Sequence, residues 1–137
     1  MVSHILFLAD GSGDTAVIER SPEKFVVRHG ALFVTNHFLD PQLAEDPHNR
    51  EIERISSTLA RYQRLEQLVG RIYSKDDIIA VLRDRMDAEG KPLPVGDRRA
   101  IDADIATHSV IADPAQRTLY VAQGPHTRGH YVAFTPP

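Results

Sequence analysis

Short apolar runs separated by turn residues fill the first third of the chain. Residues 4–9 (His-Ile-Leu-Phe-Leu-Ala) form one run, and Asp10-Gly-Ser-Gly-Asp14 supplies residues that tolerate positive φ. Residues 15–20 return as a β-prone segment that Ser21-Pro22 stops, which predicts a β-hairpin. Residues 24–28 and 31–35 predict a second strand pair about His29-Gly30. Few polar positions interrupt these runs, so the pattern suits a sheet covered on both faces.

The period changes after Phe38. Pro41 and Pro47 mark residues 38–49 as a loop. From Asn49 to Val69 the spacing predicts one helix, with Ile52, Ile55, Leu59, Tyr62 and Val69 as its core stripe and Gly70 as its stop. Ser74 opens a second helix, with Asp77 three residues on as an acidic capping partner. Ile78, Ile79, Leu82 and Met86 make its apolar face, and Gly90 ends it. Residues 91–99 form a Pro/Gly-rich connection, and 101–106 have no decisive period. Residues 107–112 and 118–122 read as strands about an Asp113-Pro-Ala-Gln116 turn, and 131–134 as a last short strand. Strands, then two helices, then strands predict an α+β fold over a single domain, residues 1–137. In it a largely antiparallel β-sheet carries two main helices on one face, and the other face needs a cover.

Composition narrows the class. A chain of 137 residues fits one domain that buries about 68–70% of its unfolded surface. The formal net charge of −3, with Lys and Arg scattered, argues against nucleic-acid and membrane-surface binding. No apolar stretch approaches the roughly 20 residues that span a bilayer. The opening Met1-Val-Ser-His lacks a basic stretch leading into a long apolar one, so no signal peptide is expected. The sequence contains no cysteine. That removes disulfides, thiolate metal sites and a thiol nucleophile from these residues, and it is compatible with a cytoplasmic location.

Candidate chemistry gathers at Thr35-Asn36-His37-Phe38, at the end of the apolar segment. A side-chain amide there is able to donate N–H bonds to a developing oxyanion, and an Asn at a strand end equally serves to cap a turn. Arg61 falls almost opposite the Ile52/Ile55/Leu59 stripe at about 100° per residue. It belongs either to a solvated face with Ser57 and Arg64 or to a cleft flanked by Leu65 and Leu68. His37 alternates away from Asn36 and reads as a packing or surface residue. His126 and His130 have helical metal-pair spacing, but Gly124, Pro125 and Gly129 oppose a helix and no third ligand is near, so no metal or cofactor is expected. Gly11-Ser-Gly-Asp-Thr-Ala16 fits a G-x-G-x-x-A dinucleotide pattern, yet the required helix has no room before Ser21-Pro22.

These motifs also stand in a familiar order: the hairpin of residues 8–19, Thr-Asn-His-Phe, Ser57-Thr-Leu-Ala-Arg-Tyr-Gln-Arg-Leu65, the second helix, and the Asp-Pro hairpin within 107–124. Residues 4–134 resemble the C-terminal half of the isopenicillin N acyltransferase-like (acyl-coenzyme A:6-aminopenicillanic acid acyltransferase) N-terminal-nucleophile amide hydrolases. The resemblance implies an αββα sandwich and an N-terminal Cys nucleophile whose own amino group is the base. It implies an oxyanion-holding Asn, matched by Asn36, and a supporting Arg, matched by Arg61. Its substrates are acyl amides. The Cys and its acidic partner have no counterpart in this sequence, and Ser3 is a poor substitute because it precedes a strand that follows the nucleophile at a distance in the family.

Two expectations result. One is a partial acyltransferase or amide (C–N) hydrolase chain, inactive alone, whose Asn36 and Arg61 complete a site with a Cys-bearing N-terminal partner chain. The other is a non-catalytic binding or structural module, a homo-oligomer (dimer) that covers its surplus apolar strand surface. A pocket for a small acyl-amide ligand is a further expectation. Neither nucleic acid nor membrane is an expected partner.

Overall fold

The structure, a computed structural model, describes residues 3–106, 108–125 and 127–136. Its elements are β1 (His4–Ala9), β2 (Thr15–Arg20), β3 (Phe25–His29), α1 (Pro41–Ala44), α2 (Pro47–Ile55) and α3 (Thr58–Leu68). A single 3-10 turn, Val69–Arg71, extends α3. Then come α4 (Lys75–Leu82), β4 (Val110–Asp113), β5 (Thr118–Gln123) and β6 (His130–Phe134). The α+β class holds, and every strand pairing is antiparallel.

The expected single sheet divides in two. Among the described residues strands pair only with their sequence neighbours, in the orders β1-β2-β3 and β4-β5-β6. The sheets approach at their hairpin turns, where a methyl group added at Gly11 would sit 3.6 Å from the Pro114 carbonyl oxygen. The β1–β2 turn is an Asx turn. Asp10 Oδ1 accepts bonds from Ser12 N, Ser12 Oγ and Asp14 N, and Gly13 takes φ +94°. The glycines of the dinucleotide-like pattern thus serve a hairpin.

Residues 31–35 are not a strand. Gly30, at φ +71°, donates its N–H to Thr15 O, and the Thr15 hydroxyl donates to Ala31 O. These bonds carry the chain on past the end of β2 instead of folding it back along β3. The loop expected over 38–49 contains α1 and the start of α2. Pro41 and Pro47 begin these helices, where a missing N–H costs nothing, and Asp40 and Asp46 cap them by accepting from Gln42 N and His48 N.

The single helix expected over 49–69 is broken at Ser56-Ser57. Ser56 is extended, at φ −118° and ψ 172°, and its Oγ accepts from Thr58 N. Short hydroxyl side chains compete for backbone groups in this way and interrupt helices. The break resets the helical phase, so the expected core stripe dissolves: Ile55 and Leu59 are 60% and 41% exposed, while Thr58 is fully buried. The second helix stops at Leu82, short of Gly90. Asp84, just beyond, accepts from Met86 N and from Arg64 of α3, and Met86 forms an isolated bridge with Pro92.

The cover of the sheets is divided as well. On the inner face of β1–β3, Val17 and Glu19 are fully buried, and Glu19 binds the backbone at Leu39 and Asp40. On the second sheet, Lys75 of α4 places its Nζ 4.4 Å from the Tyr120 ring centroid. One sheet with two helices on a face is therefore corrected to two sheets: Ile5 and Phe7 of β1 line a cavity with Leu65 of α3 and Leu82 of α4, while α4 also reaches the second sheet. The opposite faces stay open. Leu6, Leu8, Phe25 and Val27 are exposed on the first sheet, and Val110, Leu119 and Phe134 on the second. The chain exposes 9038 Å², against about 7,100 Å² for a compact monomer of 15.3 kDa. Among the described residues no helix is long and apolar enough to cross a membrane.

Candidate active site

The segment carrying Asn36 is held by buried polar groups. Glu19 Oε1 receives both Nε and Nη2 of Arg28, and its Oε2 accepts the N–H groups of Leu39 and Asp40 at 3.0 and 2.9 Å. Asn49, at the start of α2, accepts Phe38 N at 2.6 Å and returns its amide to the Phe38 and Ala44 carbonyls and to Glu53. Thr58, the first residue of α3, accepts Asn36 N at 2.8 Å and lies 2.9 Å from His37 Nδ1. The break at Ser56-Ser57 is what brings this hydroxyl inward.

The same His37 nitrogen lies 3.0 Å from the Thr35 hydroxyl, so two hydroxyl groups flank it. His37 is buried, with its ring edge-on to Tyr62 at 5.3 Å. Burial holds its pKa below the ordinary 6.5, against the opposing pull of Glu53 and Glu19. His37 is a positioning and packing residue.

The two residues singled out in the sequence meet. Arg61 Nη2 donates to Asn36 Oδ1 at 2.8 Å. A guanidinium has no acceptor, so the Asn36 amide must turn its oxygen toward Arg61, and its NH₂ remains as a pair of donors. Both residues line a cavity of about 700 Å³ walled by Phe7, Leu32, Phe33, Ile52, Leu65 and Ile101, among others. Arg61 thus occupies a cleft. Its former companion on the proposed solvated face, Arg64, is itself largely buried against Asp84. Burial pushes the Arg61 guanidinium down from its ordinary pKa, and its Nε is buried without a partner. Such an orphaned donor costs about 1–3 kcal/mol.

Ser3 also lines the cavity. His126 lies outside the described residues, and among those described no cluster of three or more His, Asp or Glu forms a metal site. Sequence reasoning missed Glu19, Asn49 and Thr58 as supports of the site. The signal for Glu19 was present: it shares the strand face of Val17, where a carboxylate needs committed partners.

A sequence profile of the family described as acyl-coenzyme A:6-aminopenicillanic acid acyl-transferase matches residues 1–127. No curated protein and no solved structure matches the chain.

Proposed function

The chain belongs to the acyl-coenzyme A:6-aminopenicillanic acid acyltransferase family, and on that premise we propose that it supplies the oxyanion-binding part of an acyl-amide site. The bond from Arg61 to Asn36 Oδ1 carries this reading. It orients the Asn36 NH₂ as a donor and sets a positive charge behind it. Both features stabilise a carbonyl oxygen as it gains negative charge.

These residues hold no cysteine, and in this reading a Cys-bearing partner chain brings the thiol. Its sulfur bonds to the acyl carbon, and the carbonyl electron pair moves onto the oxygen facing Asn36. As the intermediate collapses, the C–N bond breaks and the amine leaves with the proton taken from the thiol. Water or a second amine then removes the acyl group from sulfur, giving hydrolysis or transfer. The acyl chain lies along the apolar cavity wall.

The isolated chain is expected to be inactive and to gain activity with the Cys-bearing chain that co-purifies from its native source. In that complex Asn36→Ala lowers kcat by about 10²–10³-fold. Steady acyl-amide turnover by the pure chain, undiminished by Asn36→Ala, would sink the proposal.

A second reading rests on the open sheet faces. The chain as a whole exposes about 1,900 Å² more than a compact monomer, against the roughly 800 Å² that each partner of a standard interface buries. A second copy, stacked sheet on sheet, buries the open faces in a non-catalytic homodimer. Sedimentation showing only monomer at high concentration counts against it.

A further inference from the structure

The cavity beside Arg61 is unusual in its charge. The whole chain is acidic, with 19 Asp and Glu against 16 Lys and Arg. None of the cavity's lining residues is acidic, and its polar members are histidines, asparagines, Ser3, Thr35 and Arg61. Among the described residues no carboxylate pairs with Arg61. The bond to Asn36 engages one of the five guanidinium N–H groups. Asn36 is neutral, so the charge stays uncompensated inside an apolar wall.

A group that fits must bring one negative charge to Arg61 and an apolar body to Phe7, Phe33, Ile52, Leu65 and Ile101. A phosphate or dianion would leave excess charge against that wall, while a monocarboxylate matches a single guanidinium. The volume of about 700 Å³ lies within the range of small-molecule sites. We propose that this cavity binds a free monocarboxylate with an apolar alkyl or aryl tail, its head on Arg61 and its tail along the cavity wall. The binding requires no nucleophile; it uses the wall on which the acyl-transfer reading lays the acyl chain and so deepens that reading.

Titrations of the full chain with octanoate, octanamide and acetate, followed by calorimetry and NMR, test it. Octanoate is expected to bind at least tenfold more tightly than octanamide, which lacks the charge, and than acetate, which lacks the tail. The Asn36 side-chain amide and the Leu65 methyl resonances are expected to shift with octanoate. Arg61→Met is expected to erase the preference for acid over amide, and Arg61→Lys to keep part of it. Equal affinity for octanoate and octanamide in the native chain overturns the proposal, as does a preference that survives Arg61→Met or shifts confined to other residues. The ratio measured on the native chain decides even where Arg61→Met fails to fold. Each readout is independent of acyl transfer, so a failure here is distinct from a failure of the catalytic reading.

Discussion

The inner face of the β1–β3 sheet buries a carboxylate, Glu19, beside Val17, while the outer face of the same strands leaves Leu6, Leu8, Phe25 and Val27 in the open. Each face reverses what solvent alone would favour. On the inner face the reversal is repaid by geometry, since both Glu19 oxygens are committed: one to Arg28, the other to the backbone of Leu39 and Asp40. Those bonds fix the segment that presents Asn36. On the outer face nothing within the described chain repays the exposure, which marks a surface for another body. One face organises the site, and the other is spare.

Glu19→Ala tests the inner face most severely. It leaves Arg28 without its carboxylate and two N–H groups without an acceptor, so a loss of about 3–5 kcal/mol in urea unfolding is expected. Glu19→Gln keeps an acceptor oxygen and is expected to lose less. A loss below about 1 kcal/mol for Glu19→Ala would mean that the segment 37–40 is held by other means. Thr58→Val comes next. It strands Asn36 N and removes one of the two hydroxyls at His37 Nδ1, Thr35 keeping the other, and is expected to cost about 1–3 kcal/mol, with Thr58→Ser recovering most of it. Equal losses for both variants would assign Thr58 to packing alone.

The legible parts of this molecule were those set by short-range rules. The hairpin β1–β2, the Ser74 cap with Asp77 and the Asp-Pro turn follow from local side-chain chemistry, and all form. Asn36 and Arg61 were picked out by motif, and the fold joins them. What escaped depends on long-range bonds. Thr15, sixteen residues away, captures Ala31 and stops a segment of strand-like composition from pairing. Pro41 and Pro47 look like breakers until Asp40 and Asp46 are seen to cap the turns they start. The break at Ser56-Ser57 is invisible to a hydrophobic stripe, because counting at a fixed angle assumes an unbroken helix.

A pH series sharpens the inner face further, with a smaller effect. Burial lowers the His37 pKa in the folded chain. The unfolded chain takes up that proton near pH 6.5, whereas the folded chain resists it. The contribution of His37 is therefore intact above pH 6.5 and is lost as the pH falls below it, by at most about 1.4 kcal/mol per pH unit. Unfolding measured from pH 8 to 5 is expected to show this decline and to lose part of it in His37→Gln. An identical decline in the variant would place the titration elsewhere.

The smallest effect on stability is expected on the outer face, and it bears hardest on the comparison. Leu6 is 52% exposed and stands opposite Ile18 on a sheet edge. Leu6→Lys, measured at a concentration where the chain is monomeric, is expected to change stability by no more than about 0.5 kcal/mol. The same substitution buries a charge wherever that face meets a second body, so it is expected to abolish association while leaving the monomer unaltered. Sedimentation beside urea unfolding separates the two quantities. Lost association with unchanged unfolding fits a face that serves only outward. A loss of several kcal/mol in the monomer would mean that Leu6 is packed by its own chain. The two faces would then both be interior, and the open sheet would cease to be a docking surface.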